Sequence, residues 1–93
     1  MVESTLTLVN KLGLHARAAG KLVNLTKTFS SAVTISRTDA ADAEIVDGKS
    51  IMAVMLLAAP VGTELKVVVE GEDEEAAMAA IAQLIADRFG EDE

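Results

Sequence analysis

The stretch Gly13-Leu14-His15-Ala16-Arg17-Ala18-Ala19-Gly20-Lys21-Leu22 decides the reading of this chain, because it joins a strand to a helix and holds the only histidine. Beyond Ala19, the residues Leu22, Val23, Thr26 and Phe29 recur at spacings of three and four, the stripe of a helix facing a core. Upstream, Leu6 and Leu8 alternate with Thr5 and Thr7, as on a strand with one buried face. Asn10-Lys11-Leu12-Gly13 between them has the composition of a turn. His15 therefore falls at about the helix N-cap, where free backbone N–H groups and the positive end of the helix dipole favour an anion.

Such a position suits a phosphoryl group carried on an imidazole. The neutral ring is a good nucleophile, and a helix N-terminus disfavours its protonation. Once phosphorylated, the ring would hold its oxygens beside the N–H groups of Ala16 and Arg17, and the Arg17 guanidinium could add charge-assisted hydrogen bonds. On position alone, a histidine near a cap is more often a surface residue or the cap itself.

Working outward, residues 2–9 read as a strand with Val2, Leu6 and Leu8 towards the core, and residues 16–28 as the first helix. Gly20 lies on the face of Ala16, Asn24 and Lys27, opposite the core stripe. It is either tolerated there or leaves room for a partner backbone. Ala32 to Arg37 form a strand, Thr38 to Asp42 a turn, and Glu44 to Asp47 a short strand with Ile45 inward. Ser50 is a natural N-cap for a short helix from Ile51 to Leu57. That helix is apolar all round, so Ile51, Met52 and Met55 are either core or an exposed, adaptable binding surface. Ala59-Pro60-Val61-Gly62 stops it. Glu64 to Glu70 form the clearest strand, with Leu65, Val67 and Val69 on one side. Asp73, Glu74 and Glu75 crowd the start of a last helix that runs to Arg88, with Ala77, Ile81, Leu84, Ile85 and Arg88 on one face. Gly90 and the acidic end are expected to fray. The order β-α-β-β-α-β-α gives a two-layer α/β sandwich in one domain, residues 1–93.

Composition narrows the function. The chain has 93 residues and no cysteine, which excludes disulfides and thiolate metal sites, and a single histidine makes a structural zinc site unfavourable. No metal or cofactor is expected. The longest apolar run, Ile51 to Val61, contains Pro60 and is too short to span a bilayer. The first residues lack the pattern of a signal peptide, so a cytoplasmic protein is expected, without membrane insertion. A net charge of −7 argues against general nucleic-acid binding. The charges are also segregated. No Asp or Glu lies between Ser4 and Thr38, whereas Lys11, Arg17, Lys21, Lys27 and Arg37 do. A locally basic histidine region of this kind could steer an acidic protein partner.

Leu12-Gly13-Leu14-His15-Ala16-Arg17, followed by Ala18-Ala19-Gly20-Lys21-Leu22, resembles the active-site motif of the HPr family. These are the histidine phosphocarriers of the phosphoenolpyruvate-dependent phosphotransferase system. Gly48-Lys49-Ser50-Ile51-Met52-Ala53-Val54-Met55-Leu56 is similar to that family's regulatory serine and short second helix. With the closing helix, the resemblance covers nearly the whole chain. It departs at Ala18, where the family often has proline, the residue suited to a first helical turn.

The resemblance implies a four-stranded antiparallel sheet with three helices on one face, and a second helix that borders His15. It implies that His15, through Nδ1, takes a phosphoryl group from enzyme I and passes it to an enzyme IIA protein. Arg17 and the N–H groups of Ala16 and Arg17 would stabilise that group. The partner face would combine Ala16, Arg17, Gly20, Asn24 and Lys27 with Lys49, Ile51, Met52 and Met55, and a serine kinase could act on Ser50. A monomer is expected. The segments Val46–Met55 and Arg88–Glu93 resemble carriers of the nitrogen branch as well as of the ordinary type, so sugar uptake and nitrogen-branch regulation both stay open. A competing reading is a regulatory protein-binding module without phosphoryl relay, which the same basic, apolar-edged surface would serve. A self-contained hydrolase is disfavoured, because the histidine lies in no evident Ser-His-Asp or metal arrangement.

Overall fold

The computed structural model describes residues 1–39 and 42–93, so residues 40 and 41 of the expected turn from Thr38 to Asp42 lie outside the described residues. The elements follow in the order β1 (Val2–Thr7), α1 (Ala16–Thr26), β2 (Ala32–Arg37), β3 (Val46–Asp47), α2 (Ile51–Met55), β4 (Glu64–Glu70) and α3 (Glu74–Ala86), closed by a single 3₁₀ turn, Arg88–Gly90. The four strands make one antiparallel sheet in the order β1-β4-β2-β3.

β4 is the central partner because its alternation is the cleanest. Leu65, Val67 and Val69 are wholly buried, while Glu64, Lys66 and Glu70 face solvent. Pairing keeps apolar residues on one face: Leu6 opposite Leu65, Val33 opposite Val69, Ile35 opposite Val67. The helices cover that face with Ala18, Ala19, Leu22 and Val23 from α1, Val54 from α2, and Ala77, Met78, Ile81 and Ile85 from α3. None of the described helices is long and apolar enough to cross a membrane.

Three expectations need correction. β3 is only two residues long, and Val46, not Ile45, points inward. Val46 pairs with Ile35 and is buried, whereas Ile45 is 70% exposed. Neighbours in a strand face opposite sides, so an offset of one residue exchanges them. The last helix ends at Ala86, and Arg88 leaves its apolar face. Arg88 and Phe89 both take left-handed backbone conformations (φ 56° and 54°). The C-terminal end, expected to stand free of the body, instead packs back on it, with Glu91 meeting Asn10 and His15. Phe89 is among the largest fully buried side chains, and the Lys21 ammonium donates to its carbonyl at 2.6 Å. Each left-handed non-glycine residue costs about 1–2 kcal/mol. Burying a phenylalanine contributes about 1.5–3 kcal/mol and offsets much of that.

A second tie is absent from the sequence reading. Asp73 precedes α3 but makes no side-chain cap bond to it. Its carboxylate instead accepts from the N–H groups of Ser30 and Ser31, each at 2.9 Å, and from the Ser31 hydroxyl, clamping the α1–β2 connection to the start of α3. The Ser31 hydroxyl first, then the Ser30 amide, pull its carboxyl down to about 2. An unfolded aspartate titrates near pH 3.9, so acid is taken up first by the unfolded chain. The clamp's contribution is therefore full above about pH 4 and is lost as pH falls towards 2. Asp73→Ala is expected to lower the denaturant midpoint near neutrality, with the gap to the parent narrowing across that window. A gap independent of pH would contradict the assignment.

Candidate functional site

His15 occupies the N-cap of α1 with extended backbone (φ −77°, ψ 178°). Two neighbours fix it there. The Gly13 N–H donates to the Asn10 carbonyl at 3.1 Å, and the Leu14 N–H donates to the Ala59 carbonyl at 2.9 Å. Gly13 has φ +66°, and a Cβ on it would lie 2.5 Å from the Ala59 oxygen. The loop therefore packs flat against the segment after α2, which aims the next residues at the helix start. Leu14 and Ala18 are buried beneath. α1 begins at Ala16 with Ala18 in place of proline, its small side chain going into the core.

The ring of His15 is held at both nitrogens. Nδ1 accepts from the Arg17 N–H at 3.3 Å, the capping bond of α1. Nε2 meets a carboxylate oxygen of Glu91, which lies 76 residues away in sequence. The other oxygen of Glu91 accepts from the Asn10 side-chain amide at 3.0 Å, and that amide also donates to the Gly13 carbonyl at 2.7 Å. Asn10 is fully buried. The Asn10 amide foremost, then His15, hold the Glu91 carboxyl below the usual carboxylate range, so it is ionised at neutral pH. An ionised carboxylate only accepts and the Arg17 N–H only donates, so the two contacts are met together by a ring with its proton on Nε2 and a lone pair on Nδ1.

Around the ring lies an open depression of about 450 Å³ lined by Lys11, Leu12, His15, Arg17, Glu91, Asp92 and Glu93. The Lys11 N–H donates to the Glu93 carbonyl at 2.8 Å, and its ammonium pairs with the Glu93 carboxylate at 3.2 Å. The expectation of a locally basic histidine region is thereby corrected: the fold lays three acidic residues from the C-terminal end beside it. Among the described residues the Arg17 guanidinium forms no ion pair, and Arg17 is exposed at the rim. The depression can receive an anion from the Nδ1 side, against the first N–H groups of α1 and Arg17.

Other candidates fall into two groups. Ala16, Arg17, Asn24 and Lys27 are exposed on the outer side of α1. Gly20 is half-buried, and a Cβ there would lie 3.6 Å from the Ile51 side chain, so α1 and α2 meet at Gly20. Ile51, Met52 and Met55 are exposed, Met52 at 76%, and so are Leu56 beside them and Leu12 in the loop before His15. By contrast, the Lys49 ammonium is taken by the Phe29 carbonyl just after α1, at 2.8 Å. Ser50 caps α2, its hydroxyl accepting from the Ala53 N–H at 3.3 Å.

Asn10 and Glu91 were missed. Asn10 looks like an ordinary turn residue, and Glu91 lies in an acidic end that follows a glycine. The only available signal was Phe89, a large apolar residue beyond the helix, which implied that the chain turned back towards the core.

Comparison with known proteins agrees with this architecture. The family model described as "PTS HPr component phosphorylation site" matches residues 2–87. A "Phosphocarrier protein HPr" of Xylella fastidiosa is 50% identical over 92 residues, covering 99% of each chain. One of Cupriavidus necator is 48% identical over 93 residues, covering both chains fully. Among solved structures, an HPr from Thermoanaerobacter tengcongensis superposes with a TM-score of 0.89 at 40% identity over the full length of both chains.

Proposed function

The chain belongs to the HPr family and is a phosphocarrier of the phosphotransferase system, and from that premise we propose that His15 is its phosphoryl acceptor, receiving the group from enzyme I and passing it to an enzyme IIA protein. It carries a group rather than turning over a substrate. The observation that carries the reading is the position of the His15 ring: Nδ1 opens onto the helix N-terminus while Nε2 is covered by Glu91. The Nδ1 lone pair attacks phosphorus, and the bond to the donor histidine breaks with its electron pair returning to the donor nitrogen. The N–H groups of Ala16 and Arg17 and the Arg17 guanidinium then face the phosphoryl oxygens. An open depression suits a carrier, which must release the group as readily as it binds it. Incubation with phosphoenolpyruvate and enzyme I is expected to add one acid-labile, base-stable phosphoryl group. No such gain would refute the reading.

We further propose that the docking face runs from the outer side of α1 to the exposed apolar residues of α2, with Met52 as an anchor and the basic residues setting on-rate. Lys49 contributes to this face mainly by holding the end of α1. Met52→Glu is expected to weaken enzyme I binding at least tenfold with unchanged thermal stability, because Met52 lies outside the core. Equal binding would remove Met52 from the face. The carrier is proposed to act in the cytoplasm as a monomer.

Ser50 is proposed as a site for a serine kinase. A phosphate at this cap leaves the fold intact and adds a charge of about −2 beside the docking face. Ser50→Asp keeps a capping oxygen, so stability is expected to hold while transfer from enzyme I slows. Transfer at the parent rate would leave Ser50 as a cap alone.

A further inference from the structure

We propose that Glu91, held by the buried Asn10 amide, is a positioning residue that keeps the His15 ring in the Nε2–H tautomer and so presents the Nδ1 lone pair for phosphoryl transfer. This rests on the assignment of His15 as acceptor. Four hydrogen bonds form one chain. The Asn10 side-chain amide donates to Gly13 at 2.7 Å and to Glu91 at 3.0 Å, Glu91 meets His15 Nε2, and His15 Nδ1 accepts from Arg17. Every member except the ring is fixed in its role. An amide NH₂ donates, an ionised carboxylate accepts, and a backbone N–H donates, so only one tautomer of the ring satisfies both neighbours.

The same contact matters during transfer. Bonding of the Nδ1 lone pair to phosphorus leaves the ring cationic, with its proton still on Nε2. A helix N-terminus favours the phosphoryl oxygens but opposes that ring charge. A carboxylate against Nε2–H opposes neither, and stabilises the cation as a carboxylate does in other oriented histidine pairs. Asn10 is fully buried and the Glu91 side chain is 14% exposed, so the carboxylate is held from below by the protein while the ring stays open to the depression.

The test is Glu91→Ala in the full chain. Glu91 lies outside the apolar core, so the variant is expected to fold with little change in thermal midpoint. Long-range proton–nitrogen correlation spectra of His15 report the tautomer directly. The parent is expected to show the Nε2–H form alone, and the variant a mixture with the Nδ1–H form. Phosphoryl acceptance from enzyme I is expected to fall about tenfold or more in kcat with little change in KM. Asn10→Ala, which frees the Glu91 carboxylate, should shift the tautomer in the same direction. A Glu91→Ala spectrum identical to the parent's, or an unchanged transfer rate, would overturn the proposal. If the parent took no phosphoryl group, the assignment of His15 as acceptor would fail instead, while the spectra alone would still decide what Glu91 does to the ring.

Discussion

His15→Ala is expected to reduce phosphoryl acceptance from enzyme I to background while the protein stays folded. The chain has no second histidine, so no other side chain can form the same phosphoramidate. The cost to folding is small for a structural reason. The ring lies at the surface end of α1, outside the apolar core, and its removal forfeits one capping bond of 3.3 Å and leaves Glu91 with its Asn10 partner. Loss of a cap costs about 1 kcal/mol. Circular dichroism and thermal melting should therefore match the parent closely while labelling disappears. Labelling of the variant on another residue would overturn the assignment of His15. Unfolding of the variant would contradict the placement of His15 outside the core.

Gly13→Ala is expected to have the largest effect on stability and to lower transfer as well. Gly13 has φ +66°, and its Cβ would meet the Ala59 carbonyl oxygen at 2.5 Å and Pro60 backbone atoms at 2.9 Å. Both neighbours are backbone, and the Leu14 N–H is bonded to that same Ala59 oxygen, so no side chain can swing aside. The left-handed conformation and the overpacking together cost about 2–4 kcal/mol. In a chain of this size that lowers the thermal midpoint by roughly 10 °C or more. Relief requires the loop to move away from the segment after α2, which carries His15 off the helix start, and a displacement of about 1 Å can cost about 100-fold in rate. Gly62→Ala is the matched control. Gly62 has φ +89° but nothing within 4 Å of its would-be Cβ, so only the conformational cost applies and transfer should be unaffected. Equal stability for Gly13→Ala and the parent would contradict the close approach.

What could be read from the sequence was set by periodicity and local chemistry. α1, β2 and β4 were legible because each has a long enough apolar pattern to declare its period, and the helix start fixed His15 as its cap. Ala16 and Arg17 were legible for the same reason, as the first residues of that helix. The exposure of Ile51, Met52 and Met55 was legible only as a choice, since a five-residue helix that is apolar all round has no distinct face. β3 was misread by one residue because two paired residues carry no period, and its register depends on Ile35 across the sheet. The Asn10–Glu91 support was not legible at all. It depends on left-handed turns at Arg88 and Phe89, two residue types that rarely adopt them, and those turns accompany the burial of Phe89 in the core. A contact over 76 residues that rests on such a reversal leaves no local trace. The acidic end, judged by composition, looked like solvent-exposed tail.

The most direct test of the account is the bond by which the phosphoryl group is attached. Nitrogen–phosphorus coupling in the nitrogen-15-labelled protein, recorded after phosphorylation by enzyme I, identifies the atom. The account predicts coupling to Nδ1 of His15, with the proton retained on Nε2. Attachment at Nε2, or at any other residue, would contradict it.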